Sequence, residues 1–170
     1  MRYHFSMPPL SLYYPVTPFT VNRSWGVIDE LYRKFGFVRH NGVDLALADG
    51  QDIYAPMDGI VTLVGNQPNG SGVFLCLLSR NAYQFPDGKE CRVELTFMHL
   101  SETLVREGTR VSVGDKIARG GHTGKTSGPH LHLAPKRVKK TLFGYRDLDR
   151  NDANNTFDPA PYWNGSFAQR

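Results

Sequence analysis

Six histidines stand among the 170 residues, and four of them fall in three compact settings: His40-Asn41-Gly42-Val43-Asp44, Phe97-Met98-His99-Leu100-Ser101 and Gly128-Pro129-His130-Leu131-His132-Leu133. Imidazole and carboxylate are the donors zinc takes at catalytic sites, where three protein groups leave a fourth position for water. On an extended strand His130 and His132 point to one face with Cα atoms about 6.6 Å apart, so both could reach one cavity. His40 and Asp44 on an unbroken strand would be about 13 Å apart, too far to share an ion. The chain must therefore bend between them, and Asn41-Gly42 is a strong turn signal. A single histidine in a β-rich sequence is more often a hydrogen-bonded core or surface residue, which is the reading for His4 and His122 and would be for His99 alone. Two imidazoles on one strand face in an apolar run are costly to bury without a partner, and together with His40 and Asp44 they favour a metal site. Spacing does not decide which of His130 and His132 would bind the ion.

The elements that must position these residues read as strands, over 43–47, 52–55, 59–64, 73–79, 91–98, 116–119 and 130–133. Asn41-Gly42, Asp49-Gly50, Asp58-Gly59, Asn69-Gly70, Asp87-Gly88 and Gly120-Gly121 fall between the apolar runs. The pattern predicts an all-β fold of antiparallel sheets with little helix, at most a helical turn over Asp29 to Phe35. Residues 1–19 are rich in Pro and aromatics and read as an extended arm on the domain, 20–134 as the functional domain, and 135–170 as a polar, loop-like tail. In that tail Phe157 to Trp163 pack back. Asn81 to Lys89 reads as a hairpin loop. Ala55-Pro56-Met57-Asp58-Gly59-Ile60-Val61 and Val111-Ser112-Val113-Gly114-Asp115-Lys116-Ile117 look loosely alike, a hint of internal duplication. Gly120-Gly121, Gly124 and Gly128-Pro129 allow sharp turns before His130, where Thr126 or Ser127 can bond to the backbone. Trp25 suits core packing better than a groove.

A chain of 170 residues fits one domain, and 40% apolar, 21% charged and 12% aromatic residues argue against disorder, collagen and coiled coil. No apolar run approaches the roughly 20 residues that cross a bilayer, so no membrane span is expected. The net charge of +4 owes much to Lys136, Arg137, Lys139 and Lys140. That run reads first as a solvated loop, and no specific nucleic-acid partner is expected. Cys76 and Cys91 sit in apolar runs and read as buried free thiols. The first residues, Met1 to Pro9, lack the basic start, apolar stretch and small-residue cleavage site of a secretory signal.

Three stretches together carry a family resemblance: His40-x-x-x-Asp44; Met98-His99-Leu100-Ser101; and Gly121-His122-Thr123-Gly124-Lys125-Thr126-Ser127-Gly128-Pro129-His130-Leu131-His132-Leu133. They resemble the lysostaphin and LytM type of zinc metallopeptidases, as do Tyr54 to Val61, Val105 to Asp115 and the closing Asp158 to Trp163. The resemblance implies antiparallel sheets in a duplicated, barrel-sandwich-like hybrid with an open active-site groove. It also implies hydrolysis of peptide bonds in the cross-links of bacterial peptidoglycan, by a monomer acting at the cell wall, secreted, periplasmic or phage-encoded. By position His40, Asp44 and His132 would be the Zn2+ ligands, and His99 and His130 the catalytic histidines. Family members often carry a tyrosine shortly before the first ligand; here the approach reads Tyr32-Arg33-Lys34-Phe35-Gly36-Phe37-Val38-Arg39, with no clear counterpart. Specificity would belong to groove loops such as Pro68 to Gly72 and Asn81 to Lys89.

Two other readings compete. A catalytically silent wall-binding or amidase-activating module is disfavoured because no motif residue is missing. A phosphohistidine carrier domain would use paired histidines without a stoichiometric metal, and the intact His40/Asp44 motif speaks against it.

Overall fold

The alternation in Glu90 to Leu100 puts Cys91, Val93, Leu95 and Phe97 on one side of an extended chain and Arg92, Glu94, Thr96 and Met98 on the other. In the structure, a computed structural model describing residues 7–34, 36–142, 144–149 and 155–166, that segment is one strand with the first set buried and the second half-buried. The elements are β1 (Val21–Arg23), α1 (Glu30–Lys34), β2 (Val43–Ala46), β3 (Asp52–Tyr54), β4 (Gly59–Gln67), β5 (Gly72–Ser79), β6 (Tyr83–Gln84), β7 (Glu90–Leu100), β8 (Glu102–Thr103), β9 (Arg110–Val111), β10 (Lys116–Arg119), β11 (His130–Thr141) and β12 (Gly144–Asp147), closed by a 3₁₀ turn at Ala160–Tyr162.

The larger sheet runs β1-β2-β11-β7-β5-β4-β9, with β12 added to β11 and β6 to β7; the smaller is β3-β10-β8. Every pairing between these strands is antiparallel. β5 is apolar on both faces and lies between β4 and β7, buried over most of its length. Phe97, Leu45, Leu75, Leu77, Leu95, Leu131 and Leu133 are fully buried. Each such side chain contributes about 1.5–3 kcal/mol on leaving water, which is what holds the long-range pairing in register.

The two look-alike segments lie side by side. Ala55 N donates to the Asp115 carbonyl (2.8 Å), Gly114 N to the Ala55 carbonyl (2.9 Å), and β4 pairs with β9. The described part of the arm belongs to the core: Leu10, Leu12 and Val16 are buried, Leu12 bridges to Trp163, and Tyr14 stacks on Phe19 at 3.8 Å. Phe157 and Tyr162 pack on Phe85 from the tail side. Cys76 and Cys91 are free and buried, as expected. His4 lies outside the described residues.

The loop reading of the tail is corrected for its first part. β11 continues without a break from His130 to Thr141 and turns back into β12, so Lys136 to Lys140 lie in a strand. Long-range carboxylates neutralise the inner half of that charge run. Lys136 pairs with Asp147 (3.2 Å) and Arg137 with Asp149 and Asp87. Among the described residues no helix is long and apolar enough to cross a membrane.

Candidate metal centre

Asp44 and His132 are directly opposed across the β2–β11 pair, so the register of two strands puts a carboxylate and an imidazole on one spot. His40 arrives from the loop before β2. The bend expected at Asn41-Gly42 is there, and the structure shows why glycine stands at its centre. A Cβ on Gly42 would come within 2.6 Å of the Leu133 carbonyl and 2.7 Å of His132 Nε2. Three donor atoms converge as a result: His40 Nε2 is 3.1 Å from Asp44 Oδ1 and 3.1 Å from His132 Nδ1, and His132 Nδ1 is 2.9 Å from Asp44 Oδ1. All three residues are buried.

Backbone carbonyls fix the tautomers, because a carbonyl oxygen only accepts. His40 Nδ1–H donates to the Ser24 carbonyl (2.8 Å), which leaves the lone pair of the neutral ring on Nε2, facing the Asp44 oxygen. Two acceptors 3.1 Å apart in a buried setting repel unless a cation lies between them. The donor set of two imidazoles and one carboxylate with converging lone pairs therefore fits a small divalent ion with borderline-soft preferences, the chemistry of zinc.

His99 and His130 complete the cluster. His130, two residues before His132 on the same strand face, donates Nδ1–H to the Gly128 carbonyl (2.9 Å), and its Nε2 lies 3.6 Å from Asp44 Oδ1. His99 sits near the end of β7 at φ 63°, a left-handed conformation that non-glycine residues adopt at a cost of about 1–3 kcal/mol. Its backbone N–H reaches the Ser71 carbonyl (2.9 Å) and its Nδ1–H the Thr123 carbonyl (2.9 Å). The two rings are 4.9 Å apart, centroid to centroid. His122 goes elsewhere, exposed and bonded to Asp49 at 2.8 Å, the surface role expected of it.

Burial is the largest influence on this group. It pushes His99 down to about 4 and His132 down as well, the latter against the opposing pull of Asp44.

The cluster lines a groove of about 790 Å³. Its lining includes Arg23, Tyr32 and Lys34 from the segment before His40, Asn69 to Ser71 from the β4–β5 turn, and Lys125 to Pro129. Of the loop Pro68 to Gly72, Asn69 to Ser71 line the groove, whereas no residue of Asn81 to Lys89 does. That loop packs beside the arm instead, with Gln84 bridged to Pro9. Trp25 also lies off the groove, its indole N–H donating to Thr156 (2.8 Å). Thr126 does bond to the local backbone, at the Gly128 carbonyl (2.9 Å).

Tyr32 is the groove residue that sequence reading left unassigned. Its ring lies 4.8 Å from that of His40, with the Arg23 guanidinium 5.4 Å from its centroid. Burial pushes its hydroxyl up to about 12, helped by the Asp44 charge, so it stays a donor. Seven residues separate Tyr32 from His40, and only the fold of α1 and the following loop brings the rings together.

Comparison with known proteins bears on the family and the fold. Residues 38–142 match the sequence model of Peptidase family M23. An uncharacterized metalloprotease of Haemophilus influenzae is 37% identical over 117 residues, 68% of this chain and 21% of the relative. The peptidoglycan DD-endopeptidase ShyA of Vibrio cholerae is 36% identical over 93 residues, 55% of this chain and 19% of the relative. The chain thus spans about a fifth of the length of these relatives. The catalytic domain of the antimicrobial peptidase lysostaphin from Staphylococcus simulans has the same fold, with TM-score 0.63 at 23% identity, covering 85% of this chain and 91% of that one.

Proposed function

The chain belongs to Peptidase family M23, and on that footing we propose that it is a zinc-dependent endopeptidase cutting peptide bonds in the cross-links of bacterial peptidoglycan. The observation that carries the reading is the convergence of His40 Nε2, Asp44 Oδ1 and His132 Nδ1 within 3.1 Å of one another, with the first of these locked as a lone pair by Ser24. These three atoms would hold the zinc ion, which when bound lowers the pKa of water from 15.7 to about 7 and polarises a carbonyl.

The protein groups around that position have separable tasks. His99 and His130, each with its Nδ1–H spent on a backbone carbonyl, turn Nε2 towards the cavity. They can take a proton from the attacking water and hand one to the departing amine. Tyr32, kept protonated by burial and lining the groove beside His40, offers a hydroxyl donor for the oxygen that gains charge. The charged lining of the groove apart from Asp44 consists of Arg23, Lys34 and Lys125, which suits a peptide carrying free carboxylates better than a neutral glycine bridge.

An intact donor set and two further histidines support an enzyme over a silent wall-binding or activating module. The test is digestion of purified peptidoglycans of several chemotypes, with and without chelator, read by mass analysis of the fragments. New amino and carboxyl termini at a cross-link, abolished by chelator and restored by zinc, are expected. No cleavage of any chemotype by zinc-loaded protein would overturn the proposal.

A further inference from the structure

The cations of the β11–β12 hairpin divide sharply by position. Near its base Lys136 and Arg137 are engaged by Asp147, Asp87 and Asp149. Beyond Val138 there is no carboxylate in residues 139–146, and among the described residues Lys139, Lys140 and Arg146 make no ion pair. Glu90, at the start of the neighbouring β7, stands without an ion pair to any of the three. Lys139 is paired directly across the hairpin with Arg146. Like charges so opposed destabilise a strand pair unless something outside the hairpin neutralises them.

The apolar groups point the same way. Leu142, at the turn, is 97% exposed, far beyond any other large apolar residue described. Tyr145 is exposed on the following strand and accepts a hydrogen bond from Arg92 (3.1 Å), whose guanidinium lies 5.8 Å from its ring. An aliphatic tip flanked by cations and an amphipathic ring is the composition that enters the headgroup region of a bilayer: apolar atoms reach the acyl boundary while the cations stay at the phosphates. A phosphate polymer would be bound by the cations alone and gives no reward to Leu142.

We propose that the outer half of the β11–β12 hairpin docks this chain on an anionic lipid surface. The geometry gives the docking a use. β11 begins at the cluster of histidines and runs from His132 to Thr141, about 30 Å at roughly 3.3 Å per residue. A hairpin seated on the membrane therefore holds the groove about that far away from it. The inference does not rest on the peptidase reading.

The test is flotation of the full chain with vesicles of phosphatidylethanolamine and phosphatidylglycerol, against vesicles of phosphatidylcholine. Binding to the first and not the second is expected. Each cation removed near an anionic surface should weaken binding about fivefold, so Lys139→Gln, Lys140→Gln and Arg146→Gln together should weaken it on the order of a hundredfold. Leu142→Ser, which leaves every charge in place, should weaken it about tenfold. Circular dichroism melts confirm that both variants stay folded; if the triple variant does not, Leu142→Ser carries the test. No binding to the anionic vesicles, or binding that ignores Leu142 and is competed away by polyphosphate, would overturn the proposal.

Discussion

The histidines of the groove differ in what surrounds their ring nitrogens, and that difference separates their roles by experiment. His99→Ala and His130→Ala should keep near-normal zinc content while turnover falls about 10²- to 10⁴-fold, the range for losing a proton-transfer group; equal loss of metal and activity in both would contradict the division. Gly42→Ala puts a methyl group against His132 and the Leu133 carbonyl, so it should weaken zinc affinity with every ligand residue retained, read by competition with a chromophoric chelator. His99 also makes a pH signature. Burial holds its ring at about 4 in the fold against about 6.5 in an unfolded chain, so the unfolded state binds the extra proton first. Stability is therefore fully present above about pH 6.5 and declines as pH falls through about 4. For metal-free protein, the denaturant midpoint should fall over that window, and less steeply in His99→Gln; identical slopes would contradict it.

At the scale of the elements, the two loops flanking His99 are joined through glycines. Gly124, at φ 77°, leaves no room for a Cβ against the backbone of Gly70 and Gly72, and Lys125 N donates to the Gly70 carbonyl (2.8 Å). Gly124→Ala should lower stability by about 1–3 kcal/mol in chemical denaturation and loosen the Thr123 carbonyl that orients His99. How much of this could be read in advance depended on the range of the interactions. The strands with strong local alternation or apolar runs, such as Glu90–Leu100 and Gly72–Ser79, were legible with their ends shifted by one or two residues. The outer half of β11 was not, because Lys136 and Arg137 look solvated until Asp147, Asp149 and Asp87 pair with them, and Lys139 and Lys140 are held extended only by the returning strand β12. The motif residues announced the site, but the motif could not announce Tyr32, whose approach to His40 depends on α1. Nor did it show that Gly42 is required for space.

Over the whole molecule, chain ends that look peripheral in sequence are part of the packing. Leu12 is fully buried and its backbone bonds to both Tyr162 and Asn164. Leu12→Ala should therefore cost about 2–5 kcal/mol, measured by equilibrium unfolding, although it lies in a Pro-rich arm. The buried thiols report on the same integrity: burial raises Cys76, and pushes Cys91 up to about 11. Both should resist disulfide reagents at neutral pH until the fold opens. The proposed function requires three side chains from two distant segments to share one ion, and the direct measurement is a crystal structure of the zinc-loaded protein with anomalous data across the zinc edge. A single peak bonded by His40 Nε2, Asp44 Oδ1 and His132 Nδ1, at one zinc per chain, is the expected result. A peak elsewhere, or full zinc content retained in both His40→Ala and Asp44→Ala, would contradict it.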